Sequence, residues 1–148
     1  MMEADGILAE GAAEYRVDRQ IGFLLRQANQ RHVSLFTGHM GDRLTTTQWA
    51  ALSKLGEIQP TSQNQLGRET AMDVATIKGV VDRLAARNFV RSAPDPRDGR
   101  RLVLSLTPQG EAALARNLGA ARMVTEETLA PLTSAERMML IELLTKIC

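Results

Sequence analysis

The chain has 148 residues, and its 18 Lys plus Arg against 17 Asp plus Glu leave a net charge of +1. That length suits one compact domain, or one domain plus a dimerisation element, and a composition 44% hydrophobic and 24% charged excludes general disorder. The apolar runs fall far short of the ~20 residues of a membrane span, and acids stand near the N-terminus where a signal peptide has its basic start, so a cytoplasmic protein is expected.

Residues 1–14 read as a flexible tail. From Tyr15 to Met40 the apolar positions Ile21, Leu24, Leu25, Ala28, Leu35 and Phe36 recur at helical spacing with His32 on the same face, which predicts one long amphipathic helix stopped by Gly38, Gly41 and Asp42. Thr45 with Gln48 has the capping-box pattern and opens a second helix whose stripe is Trp49, Leu52 and Leu55, closed by Gly56. After a short extended piece, Ile58 to Pro60, Ser62 and Gln65 repeat that pattern before a very short helix carrying Leu66. Thr70 to Asp73 is the turn, and Asp73 caps a further helix whose Val74, Ile77, Val80, Val81 and Leu84 form an i, i+3, i+4, i+7 stripe. Asn88 supplies the left-handed residue that ends it.

The period then changes. Phe89 to Ser92 and Leu102 to Leu106 are strand-like and enclose a segment dense in turn formers, Ala93 to Arg101, which predicts a β-hairpin with a long basic tip. Thr107 followed by Pro108 marks a helix start, with Leu114, Leu118, Ala121 and Val124 on one face. Pro131 interrupts, and Thr133 with Glu136 caps a last helix carrying Leu140, Leu143, Leu144 and Ile147. The fold class is therefore mainly α with a small β-hairpin wing. A winged helix-turn-helix domain occupies 45–107, flanked by the helical segments 15–44 and 108–148.

The nearly neutral total conceals an uneven distribution. Residues 1–59 carry six basic and seven acidic side chains, residues 60–101 eight and five, and residues 102–148 four and five. Between Arg83 and Arg101 six arginines face only Asp95 and Asp98. A basic patch of that kind, next to a short helix and a capped helix, points to a polyanion.

The major groove of DNA admits one α-helix, whose N-terminal residues reach base edges. Off the apolar stripe of the second helix of the motif lie Ala75, Thr76, Lys78, Gly79, Asp82 and Arg83, with Thr76 and Lys78 the candidate base readers. Ser62, Gln63 and Asn64 open the short helix, where free backbone N–H groups favour a phosphate. The hairpin tip offers Arg97, Arg100 and Arg101 to a narrow minor groove, and the spacing of Asp98 and Arg100 lets the carboxylate orient the guanidinium. The alternative for the tip alone is a solvated charged turn with an ion pair worth little.

These features resemble the MarR family of bacterial transcription factors. The likeness is carried by TTTQWAAL (Thr45 to Leu52), Leu66 in QLGRET, TIKGVVDRL (Thr76 to Leu84), Asn88-Phe89-Val90 and, above all, DPRDGRRLVLSLTPQG from Asp95 to Gly110. The resemblance implies an obligate homodimer on a near-palindromic operator, with the helical segments 15–44 and 108–148 as its dimerisation region, usually a repressor that a small ligand releases. It also makes Arg100 the minor-groove residue, with Asp98 its partner. The chain departs from the pattern at Gly79, where many members have a basic or polar contact residue, and at Asn88, where glycine is usual.

For the effector, the resemblance implies a pocket between the dimerisation helices and the winged-helix lobe. Arg16, Arg19, Phe23, Arg26 and Gln30 share one face of the first helix and suit an aromatic acid or its CoA thioester, with Trp49 a further candidate; a solvated or dimer-contacting face and a core tryptophan are the alternatives. His32 and His39 lack partners at metal-ligand spacing, and the lone thiol of Cys148 excludes an intrachain disulfide. Neither a metal nor a cofactor is expected. No nucleophile triad or glycine-rich phosphate loop argues for an enzyme. Two further alternatives are a winged-helix module for protein contacts without specific DNA binding, and a regulator of this type with no small-molecule effector.

Overall fold

The computed structural model describes residues 14–148. The expected tail, apart from Glu14, lies outside the described residues. Six helices and one hairpin follow in the order α1 (Ile21–His39), α2 (Thr46–Ile58), α3 (Gln63–Glu69), α4 (Val74–Ala86), β1 (Val90–Pro94), β2 (Leu102–Leu106), α5 (Pro108–Thr128) and α6 (Ser134–Ile147). No helix among the described residues is long and apolar enough to cross a membrane.

The first helix starts later than its pattern predicts. Arg16 and Asp18 are two residues apart, a spacing that an α-helix places on different faces. Their two hydrogen bonds, Arg16 Nε to Asp18 Oδ1 at 3.1 Å and Nη2 to Oδ2 at 2.9 Å, accompany a separate 3₁₀ turn at Val17–Arg19, and Gln20 is extended before α1 begins.

Most of the expected caps are present. Thr45 and Gln48 exchange the two bonds of a capping box, as do Thr133 and Glu136. Asp73 accepts from Thr76 N, Thr107 from Gly110 N, and Ser62 from Gln65 N. At Ser62 the box is only half made, because the Gln65 side chain turns instead to Glu69 and Arg68. Asn88, at φ 60, is the left-handed residue after α4.

Gly56 does not close α2, which runs on to Ile58. A Cβ at Gly56 would stand 2.7 Å from Leu114 Cδ2 and 3.6 Å from Leu106 Cδ1, so this glycine lets α2 lie close against α5 and β2. Leu52, Leu55, Leu66, Ile77 and Leu84 fill the centre of the lobe with less than 2% of their surface exposed. Phe89, Val90, Leu104, Leu106 and Ala113 close the core from the wing and the start of α5. Val74 departs from the expected stripe: it is 70% exposed, while Ile77, Val80, Val81 and Leu84 are buried.

Strand β1 pairs antiparallel with β2, Val90 opposite Leu106 and Pro94 opposite Leu102. A third backbone segment joins them, since Thr61 exchanges hydrogen bonds with Leu104 (2.6 and 3.2 Å) and the Gln59 side chain accepts from Leu106 N at 2.8 Å. The wing is thereby tied to the entrance of α3.

Outside the lobe, α1 lies along α5. Arg31 donates to the carbonyls of Glu127 and Thr128 at 2.7 and 2.6 Å, where a cation complements the C-terminal end of α5. His32 Nδ1 meets Thr128 Oγ1 at 2.9 Å, and His39 Nε2 meets Glu127 Oε2 at 2.8 Å. Among the described residues α6 buries none of its own, and Met138, Met139, Ile141, Leu143 and Ile147 are exposed together with Ile21, Leu24 and Leu25 of α1.

One polar cluster clamps the α1–α2 loop to α5. Asp42 accepts from Arg116 Nε and Nη2, both at 2.8 Å, and from Asn117 Nδ2 at 2.6 Å, while Asn117 Oδ1 accepts from Gly41 N at 2.8 Å. The Arg116 guanidinium, then the Asn117 amide and the more distant Arg87, hold the Asp42 carboxyl below the usual carboxylate range. A depressed carboxyl stabilises the fold above its unfolded-state value, and that contribution is lost as pH falls through the folded-state value. Urea unfolding of the protein and of Asp42→Asn, compared from pH 7 down to pH 3, is therefore expected to show a wild-type advantage that is constant at neutral pH and shrinks below about pH 4. A gap that does not change with pH would remove the carboxylate from this role.

Candidate nucleic-acid interface

Helices α3 and α4 meet closely because Gly67 stands against the second of them: a Cβ there would lie 3.0 Å from Ile77 Cγ2 and 3.2 Å from the Met72 carbonyl. The core side of α4 fixes its rotation, so Ala75, Thr76, Lys78, Asp82 and Arg83 are all exposed, with Gly79 half-buried between them. Lys78 Nζ donates to Asp82 Oδ2 at 2.8 Å, an i, i+4 pair along the outer face. A Cβ on Gly79 would come 3.4 Å from Arg83 Nη1, so the Arg83 guanidinium lies back over the space that the glycine leaves.

At the start of α3, Ser62 and Gln63 are half-buried and Asn64 is exposed. Gln63 also borders a groove of about 340 Å³ with Asp82 of α4 and Arg91, Ser92 and Leu102 of the wing. Arg91 and Ser92, at the wall of that groove, are polar groups that the local reading did not single out. Only the pairing of the wing beside α4 brings them there.

The tip of the wing is built by its own backbone. Asp95 N donates to the Arg101 carbonyl at 2.8 Å, Arg101 N to the Asp98 carbonyl at 3.0 Å, and the Asp95 side chain accepts from Arg97 N at 2.9 Å. Asp98 Oδ1 accepts both the Arg100 backbone N–H, at 3.2 Å, and its side-chain Nε, at 3.1 Å. The Arg100 side chain is 92% exposed. The Arg100 side chain and then its backbone N–H keep the Asp98 carboxyl below the usual range, so it is ionised at neutral pH. Arg97 and Arg101 flank this pair, both exposed. The structure therefore presents three arginine side chains on a thin loop braced by its own backbone, beside a helix with a second polar face.

A cavity of about 180 Å³ lies between the two parts of the fold, bordered by His32 and Phe36 of α1, Thr46 and Trp49 of α2, and Val124 and Thr125 of α5. Of the six residues expected to bind a ligand, Gln30 among them, only Trp49 lines it. Arg16 is engaged with Asp18, Arg19 closes the 3₁₀ turn, and the Arg26 guanidinium stands 6.0 Å from the Phe23 ring centroid. Arg16 and Arg19 precede α1, and Phe23 and Arg26 lie in its first two turns, away from the cavity. His32, Phe36 and Thr125 reach the cavity only through the packing of α1 on α5. Among the described residues no group of three or more His, Cys, Asp and Glu side chains is placed to hold a metal ion.

A capped helix on a short supporting helix, followed by a hairpin with exposed arginines at its tip, defines a winged helix-turn-helix transcriptional regulator. The model of the MarR family matches residues 44–102. The HTH-type transcriptional repressor NicR of Pseudomonas putida is 41% identical over 133 residues, covering 89% of this chain and 84% of its own. A solved structure of a probable transcriptional regulator from Pseudomonas aeruginosa is 55% identical and superposes with a TM-score of 0.87 over 90% of this chain and all of its own. Another, BpsR of Bordetella bronchiseptica, described as regulated in its DNA binding by 6-hydroxynicotinic acid, is 36% identical with a TM-score of 0.85 over 90% of this chain and 96% of its own. The chain belongs to the MarR family, whose members are transcriptional regulators rather than enzymes.

Proposed function

We propose that this regulator is a homodimeric repressor, released from a near-palindromic operator by a small aromatic carboxylate. Segments 15–44 and 108–148 form the dimerisation region and segment 45–107 binds DNA. The exposed apolar side chains of α1 and α6 support the first assignment, since a second copy would remove them from water. Arg97, Asp98, Arg100 and Arg101 of the wing, with Ala75, Thr76, Lys78, Gly79 and Arg83 of α4 and Ser62, Gln63 and Asn64 of α3, make up the DNA-facing set.

The observation that carries the effector is the cavity between the two regions. Its walls come from α1 and α5 on one side and α2 on the other, so a ligand there bears on how the lobe sits against the dimerisation helices. A ligand that fits the DNA-incompetent arrangement better shifts the population toward it. Phe36, Val124 and the Trp49 ring offer apolar walls for an aromatic ring. His32, whose Nδ1 already meets Thr128, and the side chains of Thr46, Trp49 and Thr125 bring polar groups to the same lining, suited to a carboxylate and a ring substituent. A free acid fits this volume, whereas most of a CoA thioester would stand in solvent. The likeness to BpsR favours the same class of molecule.

Trp49 is the single tryptophan of the chain, so its fluorescence reports on the cavity directly. Titration with 6-hydroxynicotinate is expected to change that fluorescence and to weaken the complex with the DNA beside the gene by about 5- to 150-fold, the range of ordinary allosteric coupling. The corresponding CoA thioester is expected to do neither. An unaltered Trp49 signal with unaltered DNA affinity, across a panel of aromatic acids, would sink the effector. Equal affinity for random duplex would sink the operator.

A further inference from the structure

We propose that Val74 is a specificity-determining residue that reads the 5-methyl group of a thymine in the major groove. The proposal rests on the reading of α4 as the recognition helix. Val74 is the first residue of that helix and is 70% exposed, in a lobe whose other stripe residues, Ile77, Val80, Val81 and Leu84, are buried. It contributes little to the core, and valine is a poorer helix former than alanine at an exposed position. Stability therefore does not account for an isopropyl group there.

What the first turn of α4 can recognise is narrowed by its cap. Asp73 Oδ1 accepts from Thr76 N at 2.7 Å, so a carboxylate already occupies the amide end of the helix. The backbone N–H of Thr76, and after it the Thr76 side chain, hold the Asp73 carboxyl below the usual range, which keeps it charged at neutral pH. A charged carboxylate at this point repels a phosphate, unlike the neutral Ser62 at the head of α3. The Thr76 side chain is drawn to the same carboxylate.

The apolar groups exposed on this turn are the Val74 isopropyl and the Ala75 methyl. Among base edges in the major groove, the thymine methyl is the apolar partner. A β-branched side chain in a helix keeps essentially one rotamer, so the isopropyl group is ordered before DNA arrives. One and two turns on, at i+4 and i+8, Lys78 and Asp82 continue the same row and hold each other at 2.8 Å. The row thus runs from an apolar reader to a charged one.

The test uses the duplex that the full-length protein enriches from a random-sequence pool. Thymines in that duplex are replaced one symmetric pair at a time by deoxyuridine, which lacks the 5-methyl group. At one pair the wild type is expected to bind about fifteenfold more weakly, about fourfold per half-site for one buried methyl. Val74→Ala is expected to bind the all-thymine duplex with a loss of that order and to be indifferent to deoxyuridine at that pair, while melting like the wild type. The proposal is overturned if deoxyuridine weakens the wild type at no position, or if Val74→Ala keeps the full penalty. Failure of the pool to yield any preferred sequence would overturn the DNA-binding reading itself, and the proposal with it.

Discussion

Gly110→Ala is expected to destabilise the protein by about 2 to 4 kcal/mol, a large share of the stability of an ordinary domain. Gly110 is in the first turn of α5, where alanine is by propensity the better helix former, so local preference predicts a gain. Packing reverses the sign. A Cβ at this position would stand 2.0 Å from the Phe89 carbonyl oxygen and 2.9 Å from its carbon. Neither side has room to yield. The Phe89 carbonyl accepts from Thr107 N at 3.1 Å, Thr107 Oγ1 donates to the Asn88 carbonyl at 2.5 Å and accepts from Gly110 N at 2.9 Å, and the Phe89 ring is in the core. The substitution has to separate α5 from the start of the wing. Gly119, in the same helix, meets nothing within 4 Å in the protomer, and Gly119→Ala is the control expected to be neutral or slightly stabilising. Urea midpoints at a fixed protomer concentration decide the matter. A Gly110→Ala midpoint within error of the wild type would mean that the close approach of α5 to Phe89 is not a constraint on the fold.

The contrast between these two glycines marks where local rules stop. Asp73 with Ile77, Val80, Val81 and Leu84, the left-handed Asn88, and the Thr107-Pro108 start of α5 were legible because each depends on residues within one or two turns. The wing was legible because alternation and turn formers announce a hairpin, and the bond between Asp98 and Arg100 spans two residues. The Asp42 clamp was not legible, since Arg116 and Asn117 are 74 and 75 residues away and Asp42 reads only as a turn former. Gly56 looked like a helix stop for the same reason: its close neighbours, Leu106 and Leu114, belong to other elements. Val74 fitted the helical period, yet period fixes a direction and cannot show that nothing covers the first turn. The candidate effector residues show the limit most plainly. Arg16, Arg19, Phe23 and Arg26 were grouped by the face of one helix, whereas the cavity gathers His32, Trp49 and Thr125 from three.

Arg100→Ala is expected to weaken binding to the preferred duplex by about 100-fold in a dimer that inserts both wings, and to leave the unfolding curve unchanged. The side chain is 92% exposed and its bond within the protomer is the surface pair with Asp98, while the backbone bonds of Asp95, Asp98 and Arg101 hold the loop in shape without it. The loss therefore reports contact with DNA rather than damage to the wing. If both guanidiniums lie among phosphates, removing them also lowers the slope of log K against log salt by about 2. Arg100→Lys separates charge from shape: it should keep most of the slope yet lose sequence preference, because an ammonium is a point charge without the planar fork. Asp98→Asn retains an oxygen that can accept from Arg100 N and Nε but removes the charge that orients the guanidinium, so its loss should be smaller than that of Arg100→Ala. An Arg100→Ala protein with wild-type affinity and salt slope would take the wing out of the interface and leave α4 alone to read DNA. The same affinity for every duplex, in wild type and variant alike, would instead favour a winged-helix surface that serves protein contacts.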